Sequence, residues 1–169
     1  MEKNWRAVYV SSRQEKKVNN LLSERGIETY LPLIKTLRQW SDRKKMVEFP
    51  MFKGYLFVRI SDNQIDVVKN TIGVVNFVKI EGRLGLVREN EINNIKQIIS
   101  SGYLIEVSRE SKLLSEGDKV KINYGPLKNL VGIVIRELDK KLFELVLESV
   151  GFHLRVSLPD GVLQKVHED

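Results

Sequence analysis

The chain has 169 residues, 42% of them hydrophobic and 30% charged, a balance that suits a globular protein with a real core and excludes a disordered or membrane-embedded class. It contains no cysteine, so disulfides, thiolate nucleophiles and sulfur metal sites are ruled out, and no window approaches the roughly 18 continuous apolar residues of a membrane helix. The net charge of +6 is unevenly placed: residues 1–60 hold 13 Lys and Arg against 6 Asp and Glu, and residues 61–169 hold 15 against 16. The excess positive charge in the first third points to a polyanion, nucleic acid above all, with a merely solubilising basic face as the alternative. Met1-Glu2-Lys3-Asn4 leads straight into a strand-like segment without an apolar signal region, so a cytoplasmic location is expected.

Trp5 to Ser11 alternates Trp5, Ala7 and Tyr9 against Arg6, Val8 and Val10 and reads as a strand. Ser12-Arg13-Gln14-Glu15 has capping-box spacing and predicts a helix, with Val18, Leu21 and Leu22 on one stripe and Gly26 as its C-cap. Ile27 to Leu37 is rich in β-branched and aromatic residues, and Pro32 makes it an edge strand or one that bends there. Arg38-Gln39-Trp40-Ser41-Asp42-Arg43-Lys44-Lys45 reads as a basic, projecting hairpin tip, after which Met46 to Phe49 resumes the strand until Pro50 interrupts it.

From Tyr55 to Ile60 both faces of the predicted strand are apolar, Tyr55 and Phe57 on one, Leu56, Val58 and Ile60 on the other. Either the strand is central and covered on both sides, or one face packs the core while the other offers aromatics to a partner. Ser61-Asp62-Asn63-Gln64 repeats the capping-box spacing before Ile65, Val68 and Ile72, with Gly73 closing that helix. A short strand over Val74 to Ile80, a turn at Gly82 and Gly85, and a third helix over Glu89 to Ile99 with Ile92, Ile95 and Ile99 complete a small α/β layer. Periodicity fades between Ser100 and Lys112. Beyond it lie five strand-like runs, Lys119 to Tyr124, Leu130 to Arg136, Leu142 to Glu148, His153 to Leu158 and Val162 to Val166, separated by turn residues.

The expected fold class is therefore α+β: an N-terminal antiparallel sheet with packed helices over residues 1–100, a linker over 101–113, and a small five-stranded SH3-like β-barrel over 114–169. Catalysis is not expected. His153 and His167 lack any ligand at helical or hairpin spacing, and Asp62 and Asp66 more simply complement a helix dipole. No phosphate-cradling loop or nucleophile elbow is present, so neither a catalytic residue, a metal nor another cofactor is assigned.

Trp5, Glu15-Lys16-Lys17, Gly26-Ile27-Glu28-Thr29-Tyr30-Leu31-Pro32 and Pro50-Met51-Phe52-Lys53-Gly54-Tyr55-Leu56-Phe57-Val58 together resemble the N-terminal domain of the NusG family of transcription elongation factors. Gly117-Asp118-Lys119-Val120-Lys121-Ile122, with Gly125-Pro126-Leu127-Lys128 and Gly132-Ile133-Val134, looks like that family's KOW module. The basic segment from Trp40 to Lys45 and the close spacing of Tyr9, Phe52, Tyr55 and Phe57 look closer to specialised RfaH/UpxY-type paralogues of surface polysaccharide operons than to the general factor.

The resemblance implies that Tyr9, Phe52, Tyr55 and Phe57 grip the clamp helices of the largest catalytic subunit of RNA polymerase. It implies a second polymerase contact at the start of the second helix, where this chain has Gln64, Asp66 and Lys69 in place of the family's polar, often Thr-rich run. Arg38, Trp40, Arg43, Lys44 and Lys45 are then placed for upstream or non-template DNA. The C-terminal module carries 8 basic against 9 acidic residues over 114–169, which suits a protein partner better than free RNA, and the resemblance implies ribosomal protein S10 or Rho. A stable barrel is expected there. The function expected is a monomeric regulator, without membrane attachment, that promotes processive antitermination. A general NusG-type factor aiding Rho termination and a KOW-containing, translation-associated RNA-binding protein are the alternatives.

Overall fold

The computed structural model describes residues 2–109, 117, 119–137, 140–158 and 161–165, giving the backbone path alone for 136, 137, 140, 141 and 163–165. Met1, Lys112, Asp118, Val166 and His167, all used in the sequence reading, lie outside it. The chain divides into two compact units, Met1–Glu89 and Asn90–Asp169.

In the first unit β1 (Asn4–Val10) is followed by α1 (Glu15–Glu24), β2 (Glu28–Tyr30), β3 (Leu33–Gln39), β4 (Lys44–Pro50) and β5 (Tyr55–Ile60). A 3-10 turn (Asp62–Gln64) leads into α2 (Ile65–Lys69), then β6 (Val74–Phe77), β7 (Lys79–Ile80) and β8 (Arg83–Leu84). Four strands form an antiparallel sheet in the order β2-β5-β1-β6, while β3 and β4 make a separate two-stranded ribbon. Pro32 divides the Ile27 to Leu37 run as expected, because it cannot donate to a ladder. Instead its carbonyl accepts the Met51 amide at 2.8 Å.

Strand alternation gives the sheet two faces. Val8, Val10, Leu56, Val58 and Ile60 point to one and form a single core with Val18 and Leu22 of α1 and Val68 of α2. The helix starts differ from the sequence pattern. The second capping box forms, with the Ser61 amide donating to Gln64 Oε1 at 3.2 Å. The first does not: Arg13 turns with φ of 63°, α1 begins only at Glu15, and the Glu15 carboxylate accepts the Gly54 amide rather than returning to Ser12. Ile72, assigned by period to the second helix, lies beyond its short run and is exposed.

The second unit holds most of α3 (Glu89–Ser100), which buries Ile92, Ile95 and Ile98. Then come β9 (Ile105–Ser108), β10 (Lys119–Ile122), β11 (Val131–Glu137), β12 (Lys140–Leu147), β13 (Phe152–Ser157) and β14 (Leu163–Lys165). All five expected strands are present, in one antiparallel sheet of order β14-β10-β11-β12-β13-β9. The sixth, β9, arises from residues read as linker and takes the outer edge of β13, pairing Ser108 with His153 and Ile105 with Val156. Among the described residues the ladder is open from β14 to β9, so the α+β class holds while a closed barrel is not seen.

Two features bind this sheet internally. Glu144 and Arg155 are both buried and opposite each other on β12 and β13, with Arg155 Nε donating to Glu144 Oε1 at 3.1 Å. Gly132 on β11 leaves no room for a side chain, since a Cβ there would sit 2.4 Å from the Glu144 carbonyl oxygen and 2.6 Å from the Phe143 ring.

Candidate polymerase and nucleic-acid interface

The second face of the N-terminal sheet is aromatic. Register places Tyr9 opposite Tyr55, Ala7 opposite Phe57 and Trp5 opposite Arg59, while on the other side of β5 Tyr30 stands opposite Phe57 and Glu28 opposite Arg59. The Tyr9 and Tyr55 ring centroids are 4.9 Å apart. Phe52 reaches over from the turn before β5 and meets Phe57 edge-on at 5.9 Å, and Tyr30 lies stacked against the same ring at 6.2 Å. Each such pair contributes about 0.5–1.5 kcal/mol beyond the area it buries. The fold thus brings Tyr9, Phe52, Tyr55 and Phe57 into one cluster. Phe52, Tyr55 and Phe57 are buried, and Tyr9 is half-buried.

Tyr30 belongs to the same cluster and was not singled out in the sequence. Its place depends on the pairing of β2 with β5, which local pattern does not reveal. Burial pushes its phenol well above the ordinary tyrosine range. At the edge of the face Trp5 Nε1 donates to Glu89 at 3.1 Å, and Arg59 bridges to Glu28 and Glu89, each at 3.8 Å.

Gln64, Asp66 and Lys69 come from the opposite layer. Gln64 is turned back onto Ser61 as the capping-box partner, whereas Asp66 and Lys69 are exposed on α2. The three sit on one short segment but are not gathered by any shared contact.

The basic hairpin is formed as expected. The Trp40 amide donates to the Arg43 carbonyl at 2.8 Å and closes the tip, and Arg38, Trp40, Arg43, Lys44 and Lys45 are all exposed. An open cleft of about 550 Å³ runs beside it, lined by Lys16, Lys35, Trp40, Lys45, Val47 and Glu48 among others. Cations and an exposed indole on one ribbon suit phosphate attraction and base stacking. Among the described residues no group of three His, Asp or Glu side chains could hold a metal ion, and no helix is long and apolar enough to cross a membrane.

Comparison with known proteins decides the family. The family described as "Transcription termination factor nusG" matches residues 3–96, more than half of the chain and all of the sheet that carries the aromatic cluster. The chain belongs to the NusG family. It shares its fold with a structure titled "Domain interaction in Thermotoga maritima NusG", at a TM-score of 0.54 and 22% identity over 99% of each chain. A structure titled "Crystal Structure of MjSpt4:Spt5 complex conformation B" aligns at a TM-score of 0.34 and 20% identity, covering 98% of this chain and 99% of that one. No curated protein matches the chain. As a NusG-family member it is a transcription elongation factor, and NusG-family proteins are non-enzymatic.

Proposed function

We propose that this protein binds RNA polymerase through the clamp helices of its largest catalytic subunit and promotes processive antitermination at particular operons, such as surface polysaccharide loci, as RfaH/UpxY-type relatives do. The observation that carries this reading is the aromatic cluster of Tyr9, Phe52, Tyr55 and Phe57 at the centre of a NusG-family sheet, on the face away from the helix-packed core. Half-buried Tyr9 suits such a contact, since its ring covers apolar area while its hydroxyl can reach a polar rim, and buried Tyr55 backs it at 4.9 Å between ring centroids. Asp66 and Lys69, with Gln64 behind them, form the second polymerase contact, and the Arg38 to Lys45 hairpin meets upstream or non-template DNA. Holding two parts of the polymerase together biases it toward its closed state, and a preference of about 1.4 kcal/mol shifts that equilibrium tenfold without any bond being made or broken.

The modules we propose are one for polymerase within residues 1–100 and a KOW domain over 114–169 for ribosomal protein S10 or Rho, joined through 101–113, of which β9 (Ile105–Ser108) pairs with the C-terminal sheet. The protein acts as a cytoplasmic monomer, without cofactor or membrane attachment.

The test is binding to core RNA polymerase by wild type and Tyr9→Ala, followed by terminator read-through on templates with and without the operon leader. Tyr9 is the member of the cluster whose loss least disturbs the core. Wild-type binding that Tyr9→Ala weakens about tenfold, with read-through confined to leader-bearing templates, is the expected result. Equal read-through on all templates, together with Rho capture by the full chain, identifies a general factor instead. Failure of the wild type to bind polymerase removes the reading altogether.

A further inference from the structure

Glu15 is a carboxylate placed where an exposed helix start would not need one. It opens α1, it is buried, and its Oε1 accepts the Gly54 amide hydrogen at 2.8 Å. The carbonyl of the same residue accepts the Val10 amide at 2.9 Å, so Gly54 is held at both backbone polar groups, by a helix on one side and by the neighbouring strand on the other. Its φ of 78° is left-handed, the conformation that turns the chain sharply into β5. Within that turn the Tyr55 amide donates to the Phe52 carbonyl at 3.1 Å, and the Met51 amide is taken by Pro32.

The residues fixed by this turn are functional candidates. Phe52 lies inside it and meets Phe57, and Tyr55 leaves it and meets Tyr9. Burying a carboxylate is costly, and a helix N-terminus offsets only part of that cost. Here the carboxylate serves one backbone amide, that of the residue between the two rings.

We propose that Glu15 is a positioning residue for polymerase binding: through Gly54 it sets the 51–54 turn, so that Phe52 and Tyr55 stand in the one arrangement the polymerase surface accepts. This rests on the reading of the aromatic cluster as the polymerase grip. Reach, rather than charge, is the property required. A glutamine oxygen accepts the same hydrogen, whereas an aspartate keeps the charge but is one methylene too short.

The experiment measures affinity of the full chain for core RNA polymerase, together with melting temperature, for Glu15→Gln and Glu15→Asp in wild-type and Phe52→Leu backgrounds. Glu15→Gln is expected to stay within about threefold of wild type and Glu15→Asp to bind about tenfold more weakly. With Phe52→Leu present, Glu15→Asp should cost little further affinity while still lowering the melting temperature, because the two act through one turn. Aspartate binding as well as glutamine, or losses that simply add, overturns the positioning role and leaves the polymerase reading standing. Should Phe52→Leu bind like wild type, or wild type not bind at all, the grip itself is misassigned and the role of Glu15 falls with it.

Discussion

Arg38 stands directly opposite Lys45 in the β3–β4 ladder, and both are exposed. Like charges facing each other across two strands are destabilising in the free protein, and an anion lying across them relieves the repulsion. Replacing Lys44 and Lys45 with Glu should therefore leave the melting temperature unchanged or slightly raised while weakening forked DNA binding. Titration by fluorescence anisotropy at several salt concentrations should show the slope of log affinity against log salt falling by roughly one to two. An unchanged slope would place the DNA contact elsewhere.

Phe57 and Tyr9 share a face but not a burden. Phe57 is fully buried, so Phe57→Ala should cost about 3–5 kcal/mol, whereas half-buried Tyr9→Ala should cost about 1–2 kcal/mol. Urea unfolding of both variants checks the ordering. Similar losses would mean that both rings serve the fold equally.

Tyr30 gives a pH signature. Burial raises its phenol in the folded state, so the unfolded chain releases this proton first, near the ordinary value of about 10. The stabilisation it confers is complete below that pH and is lost as pH rises toward the folded value. Unfolding midpoints of wild type and Tyr30→Phe from pH 8 to 11 should run parallel at first. Above about pH 10 the wild type should then fall relative to the variant, approaching 1.4 kcal/mol per pH unit.

In the second unit Gly132→Ala should be far more damaging than Gly26→Ala. A methyl group at 132 meets backbone and the Phe143 ring, and at 26 it meets nothing within 4 Å and bears only the left-handed φ of 73°. The expected costs are about 2–3 kcal/mol and about 1 kcal/mol, and differential scanning calorimetry of the two variants separates them.

Much of the first unit was legible because its elements carry local signals. The Ser61 and Gln64 capping box and the break at Pro32 each express a rule that acts within a few residues. What escaped depended on distant pairing. Glu15 looked like the partner of Ser12, three residues away, but its carboxylate serves Gly54, far along the chain. Tyr30 joined the aromatic cluster only through the register of β2 with β5, and β9 was read as linker because Ile105 and Val107 against Glu106 and Ser108 make too short an alternation to mark a strand beside polar flanks. The aromatic character of Tyr55 and Phe57 was plain from alternation, while their depth of burial depended on the rings that fold over them.

Among the described residues the β3–β4 ribbon has no third strand, and the N-terminal core cluster holds no residue from it. Its outer residues therefore bear little of the free energy that keeps the domain folded, and substitutions there leave its stability almost unchanged. If the ribbon makes the DNA contact proposed for it, its preference can be rewritten by point mutation without passing through unstable intermediates, and one scaffold is retargeted from one set of genes to another while the four-stranded sheet stays intact.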